Sequence, residues 1–540
     1  MYRYFAICIA IFMMLFAGDV SAADRIIYIP HDDRPISLKQ TVETANAAGI
    51  DLILPPAELL GSRTSEGKPD ELWQWLDKNI RRADAVVVSA DALIYGSLVS
   101  SRKHDLDQAT IDRRVANFAT LKKKTNGMTT YVFASVMRSP RASEGGVEPS
   151  YYEAYGPMIF EYTALLDKQE TKVITRTEAK RLKELGGTIP MRYLRDWLGR
   201  REKNLSATLQ LVEMAKDDCF KYLIVGRDDN ALYSQTRRDC RRIDKASGDL
   251  GKSRYASVPG VDELGLLMLT RAASDLKWDM PHIATIYAPG IGSATVPTYS
   301  DQTCGESIAA HLFAAGAYPI YRTERADIIL AVNTDLYGRT YEAAWEMNDG
   351  TITDTHRRLV DAIATHIDNG KKVALADIKY ANGADNGLMA HLAERGLLDK
   401  LYAYGGWNTA DNTTGFVIAQ SILSAKIDER DRHRLLAVRY VDDWAYQANV
   451  RQYLQNNIIA HSRTATSVNV QPILPRLIAT GERKLTAFVD TNLSFLAIND
   501  IDLSFPWNRT FEADFNLTFV GDPAPAKSAR QYIKRSRTTL

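Results

Sequence analysis

From residue 25 onward the chain repeats one unit: a short β-branched or apolar run, a polar cluster, then a stretch with helical spacing. The runs are "RIIYIP", "DLILP", "AVVVSA" and "TYVFASV", then, after a long helical stretch, "YLIVG", "ATIYA", "YPIY", "DIILAV", "KVALAD" and "LYAYGG". Nearly continuous apolar runs belong to strands buried on both faces, and the helical stretches between them supply that cover. Several of those helices, such as "SLKQTVETANAAG" and "ESIAAHLFAAG", end in glycine, the usual C-terminal stop. The expected fold is α/β, with two doubly wound, mostly parallel Rossmann-like lobes. The alternative is a (β/α) barrel with insertions, because strand count alone does not separate open from closed sheets.

Two stretches resemble each other. "TANAAGIDLILPP…RRADAVVVSAD" and "HLFAAGAYPIYRTERADIILAVNTD" both read helix, Ala-Gly, strand, Arg-Ala-Asp, strand, Asp. They suggest an internal duplication, with one lobe over 23–215 and a second over 216–430. Beyond that, 431–540 reads as a charged helical segment followed by a small β region containing "KLTAFVD", "DIDLSF" and "EADFNLTFV". The basic end, "KSARQYIKRSRTTL", is expected to fray.

The first 22 residues differ in kind. Arg3, the apolar "FAICIAIFMMLFAG" and the small-residue "VSA" form a secretory leader, so the mature chain is expected to start at Ala23, without a stable membrane anchor, and to be periplasmic or secreted. Beyond the leader remain Cys219, Cys240 and Cys304, which allow one disulfide at most. With 67 basic and 66 acidic residues, the balance of charge gives no reason to expect nucleic acid as a partner. A small-molecule or glycan ligand is the expected partner.

Polar clusters follow the strands. They are His31-Asp32-Asp33-Arg34, then Ser89 and Asp91 with Arg102 downstream, then Arg138, then Asp228-Asp229, then Asp262-Glu263. Further along come Asp377, Lys379, Asn382 and Asp385, and then Trp407, Asn408 and Asn412. An aspartate after a strand often caps the next helix, and each cluster alone has that explanation. Seven clusters with several carboxylates, several arginines and an aromatic plate exceed what capping requires.

Glycoside cleavage needs one carboxyl as acid and a second as nucleophile or base, commonly with an aromatic ring beneath the sugar. Asp33 with Asp228 or Asp229 supplies such a pair, Arg34 and Arg138 orient the ligand, and Trp407 stacks. Asp32, Asp91, Asp262, Glu263, Asp377, Asn382, Asp385 and Asn408 complete the expected binding set. No cofactor is needed for that chemistry. The alternative is a divalent metal (Zn, Mn or Mg) on His31, Asp32, Asp91 and Asp377, although only nine histidines occur and HxH or HExxH spacing is missing. The GxSxG, P-loop and GxGxxG patterns are also missing. A non-catalytic two-lobed solute-binding protein is the third reading. Trp507, Asn508, Arg509 and Glu512 form a polar–aromatic group outside the α/β region, either folding over the strand ends or anchoring a domain interface.

The segments "IPHDDRPIS", "SADALIYGSLVSSR", "VMRSP…EPSYYEAYG", "PGVDELG", "ADIKYANGADNG", "YGGWNTADNTTG" and "FPWNRTFEADF" together resemble the bacterial family known as domain of unknown function 4127. The likeness runs from about residue 25 to about residue 515. The resemblance implies an opening Pro-x-Asp-x-Arg-Pro block, here Pro30 to Pro35, with His31 where a small or apolar residue is usual. That departure counts against His31 as an obligatory metal ligand. "GRDDNALY" also departs in its tail from the family's Asp-Asp turn. The resemblance carries no assigned reaction.

Overall fold

A computed structural model describes residues 24–522 except 126 and 142–145. The expected leader and the basic end lie outside the described residues. Six strands, β1 (Arg25–Ile29), β2 (Asp51–Ile53), β3 (Ala85–Ser89), β4 (Thr129–Val136), β5 (Tyr222–Arg227) and β6 (Tyr255–Pro259), form one all-parallel sheet ordered β2-β1-β3-β4-β5-β6. The next seven are β7 (His282–Tyr287), β8 (Tyr318–Ile320), β9 (Ile328–Asn333), β10 (Tyr341–Glu342), β11 (Lys372–Asp377), β12 (Tyr380–Ala381) and β13 (Ala403–Gly405). Five of these make a second parallel sheet ordered β13-β11-β9-β7-β8, while β10 and β12 form a separate parallel pair. A hairpin of β14 (Ile498–Ser504) and β15 (Asp514–Phe519) closes the described chain.

The fold is therefore α/β with two open sheets, and the barrel alternative falls because each sheet keeps two free edges. Read from β8, the second sheet has the same order as β2-β1-β3-β4-β5. The two look-alike stretches occupy equivalent places, each running from the helix before the edge strand (β2 or β8) to the third strand (β3 or β9). β5 and β6, from the segment expected in the second lobe, instead extend the first sheet.

Strand residues alternate between two apolar clusters because both faces of each sheet are covered. In the first sheet Ile26, Tyr28, Val87, Phe133 and Ile224 face one cluster, and Ile27, Ile29, Val86, Val88 and Leu223 face the other. The first of these clusters continues into Leu330, Val332, Ala374 and Ala376 of the second sheet. It does so through two helices packed against each other, Leu264–Lys277 over β3 and β4 and Ala410–Ser424 over β11 and β13. Every residue of the Ala410–Ser424 helix is buried. The helix is buried on all sides although Asp411, Asn412 and Gln420 lie in it, and each fully buried leucine or isoleucine there contributes about 1.5–3 kcal/mol. The two sheets therefore share one core.

"KLTAFVD" is helical rather than extended. It lies in the Leu474–Asn492 helix, which buries Leu477, Thr480, Gly481, Leu485 and Val489. That is a 3.6-residue period, and over a long segment the period outweighs the β-branched content of seven residues. "DIDLSF" and "EADFNLTFV" do form β14 and β15.

One backbone approach positions the functional residues. A Cβ on Gly226 would come within 2.4 Å of the Gly260 carbonyl oxygen, and Gly260 itself has φ +95°. Two glycines let the end of β5 and the turn after β6 touch, with Gly260 N–H donating to Arg227 O at 2.9 Å. Asp228 and Asp262 thereby come to border the same space.

Candidate functional site

A cavity of about 930 Å³ opens where the carboxyl ends of the first sheet meet loops of the second and the C-terminal "PWNRTFE" block. Open α/β sheets bind ligands at strand carboxyl ends, near the point where strand order reverses. Of the residues expected from sequence, Arg34, Arg138, Asp228, Asp229, Asp262, Asn382 and Asn408 border this cavity.

Two buried charge clusters shape the wall. In the first, Arg34 donates from Nε to Asp32 Oδ1 at 2.9 Å, and its Nη1 lies 2.7 Å from Asp262 Oδ1. Asp262 also accepts from Asn408 Nδ2 at 2.8 Å, which ties the lobes together across the cavity. Burial raises the Asp262 carboxyl to about 6, even with Arg34 opposing it. In the second cluster Arg138 donates from Nε to Glu148 at 2.6 Å and from Nη1 to Asp229 Oδ2 at 2.7 Å. Arg102 pairs with Asp228 and lies 3.7 Å from Glu148.

Asp229 is the most exposed carboxylate of the two clusters, at 25% of its side chain. Burial and the adjacent negative charge of Asp228 raise its pKa, against Arg138 and Arg102. Its backbone has φ +32°, in the left-handed region. Tyr299 (φ +70°), Asn382 (φ +63°) and Asn408 (φ +61°) share that conformation and also border the cavity. Such backbones gather at functional sites, where the surrounding structure holds them in place.

The other expected residues lie off the wall. Asp32 is fully buried behind Arg34. Asp33 accepts from the indole Nε1 of Trp507 at 2.7 Å, and burial raises its carboxyl to about 6. Trp407 is not a plate under a ligand: it is 7% exposed, in the shared core, with its ring 5.7 Å from Phe511. Glu263 is buried against His311 Nε2 at 3.1 Å, and burial pushes its carboxyl well up. Asp377 and Asp385 sit at the end of β11 in their own network. There Asn333 reaches both carboxylates, and Asp385 takes His356 at 2.9 Å and Lys379 at 2.9 Å while capping the helix that follows it.

Asp91 accepts from Ser135 N at 3.0 Å and Ser135 Oγ at 2.9 Å, with His31 Nδ1 3.4 Å away. Burial lowers His31 to about 4 and raises Asp91 to about 7. The ligand set His31, Asp32, Asp91 and Asp377 does not converge, and among the described residues no group of three His, Cys, Asp or Glu side chains is placed to hold a metal ion. Cys219, Cys240 and Cys304 are free thiols.

Asp91 gives a pH prediction. Its folded pKa lies above the ordinary aspartate value, so between pH 4 and 7 the folded state holds a proton that the unfolded state has lost. Stability from this site is full below about pH 4 and is lost as pH rises through 7. Asp91→Asn mimics the protonated side chain. Its stability relative to the parent should therefore rise by roughly 2–4 kcal/mol from pH 4 to pH 8. Urea unfolding of both chains at each pH checks this, and parallel pH curves would refute it. His31 lies 3.4 Å from Asp91 and its pKa moves the other way, so the comparison is made with His31→Asn in both chains to isolate Asp91.

Several wall residues carry no strand-end signal. Tyr299 donates its hydroxyl to Glu342 at 3.0 Å, and Asn382 donates to the other oxygen of Glu342 at 2.8 Å. Arg451 comes from a helix beyond the second sheet. Trp507, Arg509 and Glu512 all border the cavity and cover the strand ends; the Trp507 indole ties the block to Asp33 after β1, while Arg509 pairs with Glu512 within the block.

The model of the family described as protein of unknown function (DUF4127) matches residues 26–516. The chain belongs to that family. No curated protein and no solved structure matches the chain. The family match spans both sheets and ends inside β15, so it covers the α/β region together with the "PWNRTFE" block that completes the cavity.

Proposed function

We propose that this protein is an exported hydrolase acting on a carbohydrate, a cell-wall-derived glycan in the first instance, with Asp228 and Asp229 as the working carboxylates. The observation that carries the reading is the different setting of these two neighbours. Each is paired with an arginine, Asp228 with Arg102 and Asp229 with Arg138, but Asp229 is the more exposed of the two and has a raised pKa, and both border the cavity. A carboxyl of raised proton affinity suits the role of acid, and a neighbouring carboxylate can stabilise positive charge. In this reading Asp229 gives its proton to the leaving glycosidic oxygen, and the negative charge of Asp228 stabilises the cationic sugar that results. Water then adds at the anomeric carbon, and its proton returns to Asp229. Asp33, capped by Trp507, takes no part.

The shared core weighs against a solute-binding protein that closes by hinge motion, because a continuous apolar interface resists relative movement of lobes. Among the described residues no helix is long and apolar enough to cross a membrane. The test is a panel of aryl glycosides, neutral, N-acetylated and acidic, incubated with the purified chain. Release of the aryl group from one of them is expected. Saturable sugar binding with every glycoside left intact would move the reading to a binding protein.

A further inference from the structure

We infer that the cavity selects an acidic sugar, a ring bearing a carboxylate or another anionic oxygen group, which Arg34 and Arg141 recognise. The inference rests on the carbohydrate reading and narrows it.

Among the described residues, all six basic side chains bordering the cavity are arginines. Arginine rather than lysine suits planar, two-point recognition of oxyanions. Four of the six stack on aromatic rings that also border the cavity. Arg34 and Arg509 lie 5.5 and 5.3 Å from the Trp507 ring centre, Arg451 lies 4.9 Å from Phe511, and Arg141 lies 5.2 Å from Phe160. Stacking uses the face of a guanidinium and leaves its N–H edge for a ligand.

Two of the six keep a donor edge with no carboxylate partner among the described residues. The Arg34 side chain is only 9% exposed, and its Nη2 has no hydrogen-bond partner although Nε and Nη1 are engaged by Asp32 and Asp262. A buried charged N–H without an acceptor is a standing cost, which a ligand oxygen would remove. Arg141 is exposed on the cavity wall and pairs with no carboxylate among the described residues. The wall therefore presents one buried and one open guanidinium edge, each backed by an aromatic ring.

The test is calorimetric titration of the full chain with glucuronate, glucose 6-phosphate and glucose at low salt. Glucuronate is expected to bind at least about tenfold more tightly than glucose, with the margin shrinking as salt is raised. Arg141→Gln, at an exposed site and so expected to melt like the parent, is expected to cut that margin by about fivefold or more. Tightest binding of the phosphate would retain an anionic ligand and assign its group as phosphoryl. Equal affinity for glucose and glucuronate, no binding of any of the three in the millimolar range, or an unchanged margin in Arg141→Gln would overturn the inference. The readout is binding alone, so it stands or falls separately from glycoside cleavage. An acid-selective site that cleaves no glycoside would defeat the hydrolase reading only, and cleavage indifferent to the anion would defeat this one only.

Discussion

Asp229→Asn is expected to lower kcat on the best glycoside by roughly 100- to 10,000-fold, the usual contribution of a positioned general acid, with KM nearly unchanged. The amide keeps the shape and can still accept from Arg138, whose Nη1 is 2.7 Å away, but it has no proton to give. The substitution should also fold well. Position 229 has φ +32°, and asparagine tolerates the left-handed region as readily as aspartate does. A chain with native melting, native sugar affinity and lost turnover would place the acid at this position. Turnover within a factor of three of the parent would remove Asp229 from the chemistry. An aryl leaving group of low basicity, which needs little protonation, should restore part of the rate.

Glu148→Ala is expected to destabilise the protein by about 3–5 kcal/mol, the cost of removing one member of a buried ion pair and leaving its partner uncompensated. The Glu148 side chain has no exposed surface and accepts from Arg138 Nε at 2.6 Å, with Arg102 Nη1 3.7 Å away. Its loss would leave two guanidinium groups with only Asp228 and Asp229 to balance them. Urea unfolding with a fitted slope separates this from a change in denatured-state compactness. Glu148→Gln, which keeps volume and one acceptor, should lose markedly less. A loss below about 1 kcal/mol in the alanine variant would mean that the cluster is solvated like a surface pair. The two predictions are linked, because Arg138 holds both Glu148 and Asp229. Glu148→Ala should therefore also move the alkaline limb of any pH–rate profile, the limb that reports the general acid Asp229, even under conditions where the chain remains folded.

The strands were legible because their signal is local. Nearly unbroken runs such as "AVVVS" and "YLIVG" announce burial on both faces without any knowledge of their neighbours. The edge strands β2 and β8 are only three residues long, yet both were marked by flanking Ala-Gly stops. The repeat of that pattern also anticipated the matching order of the two sheets. The same locality misled at "KLTAFVD", where Thr486, Phe488 and Val489 outweighed a helical period visible only over the full Leu474–Asn492 segment.

At the site, strand-end position found Arg34, Arg138, Asp228, Asp229 and Asp262, because a parallel sheet delivers every strand's exit to one edge. Which way each exit turns was decided by tertiary contacts. Trp407 was read as a plate and lies in the core, since the "GGWN" turn enters the wholly buried Ala410–Ser424 helix. Trp507, about 475 residues from Asp33 in sequence, takes that aspartate out of the cavity through a single indole hydrogen bond. Tyr299, Glu342 and Arg451 carried no local signal, because loops and a distant helix bring them to the wall.

Sequence alone determined the α/β class, the parallel sheets and the repeat that their matching strand order reflects, all of which follow from apolar period and chain order. The tertiary structure alone decided that the two sheets share one core, that Asp229 rather than Asp33 faces the cavity, and that Arg34 keeps an unpaired donor. The physical reason is that period and chain order belong to short segments. Proton affinity and pairing depend on charges and burial contributed by residues hundreds of positions apart.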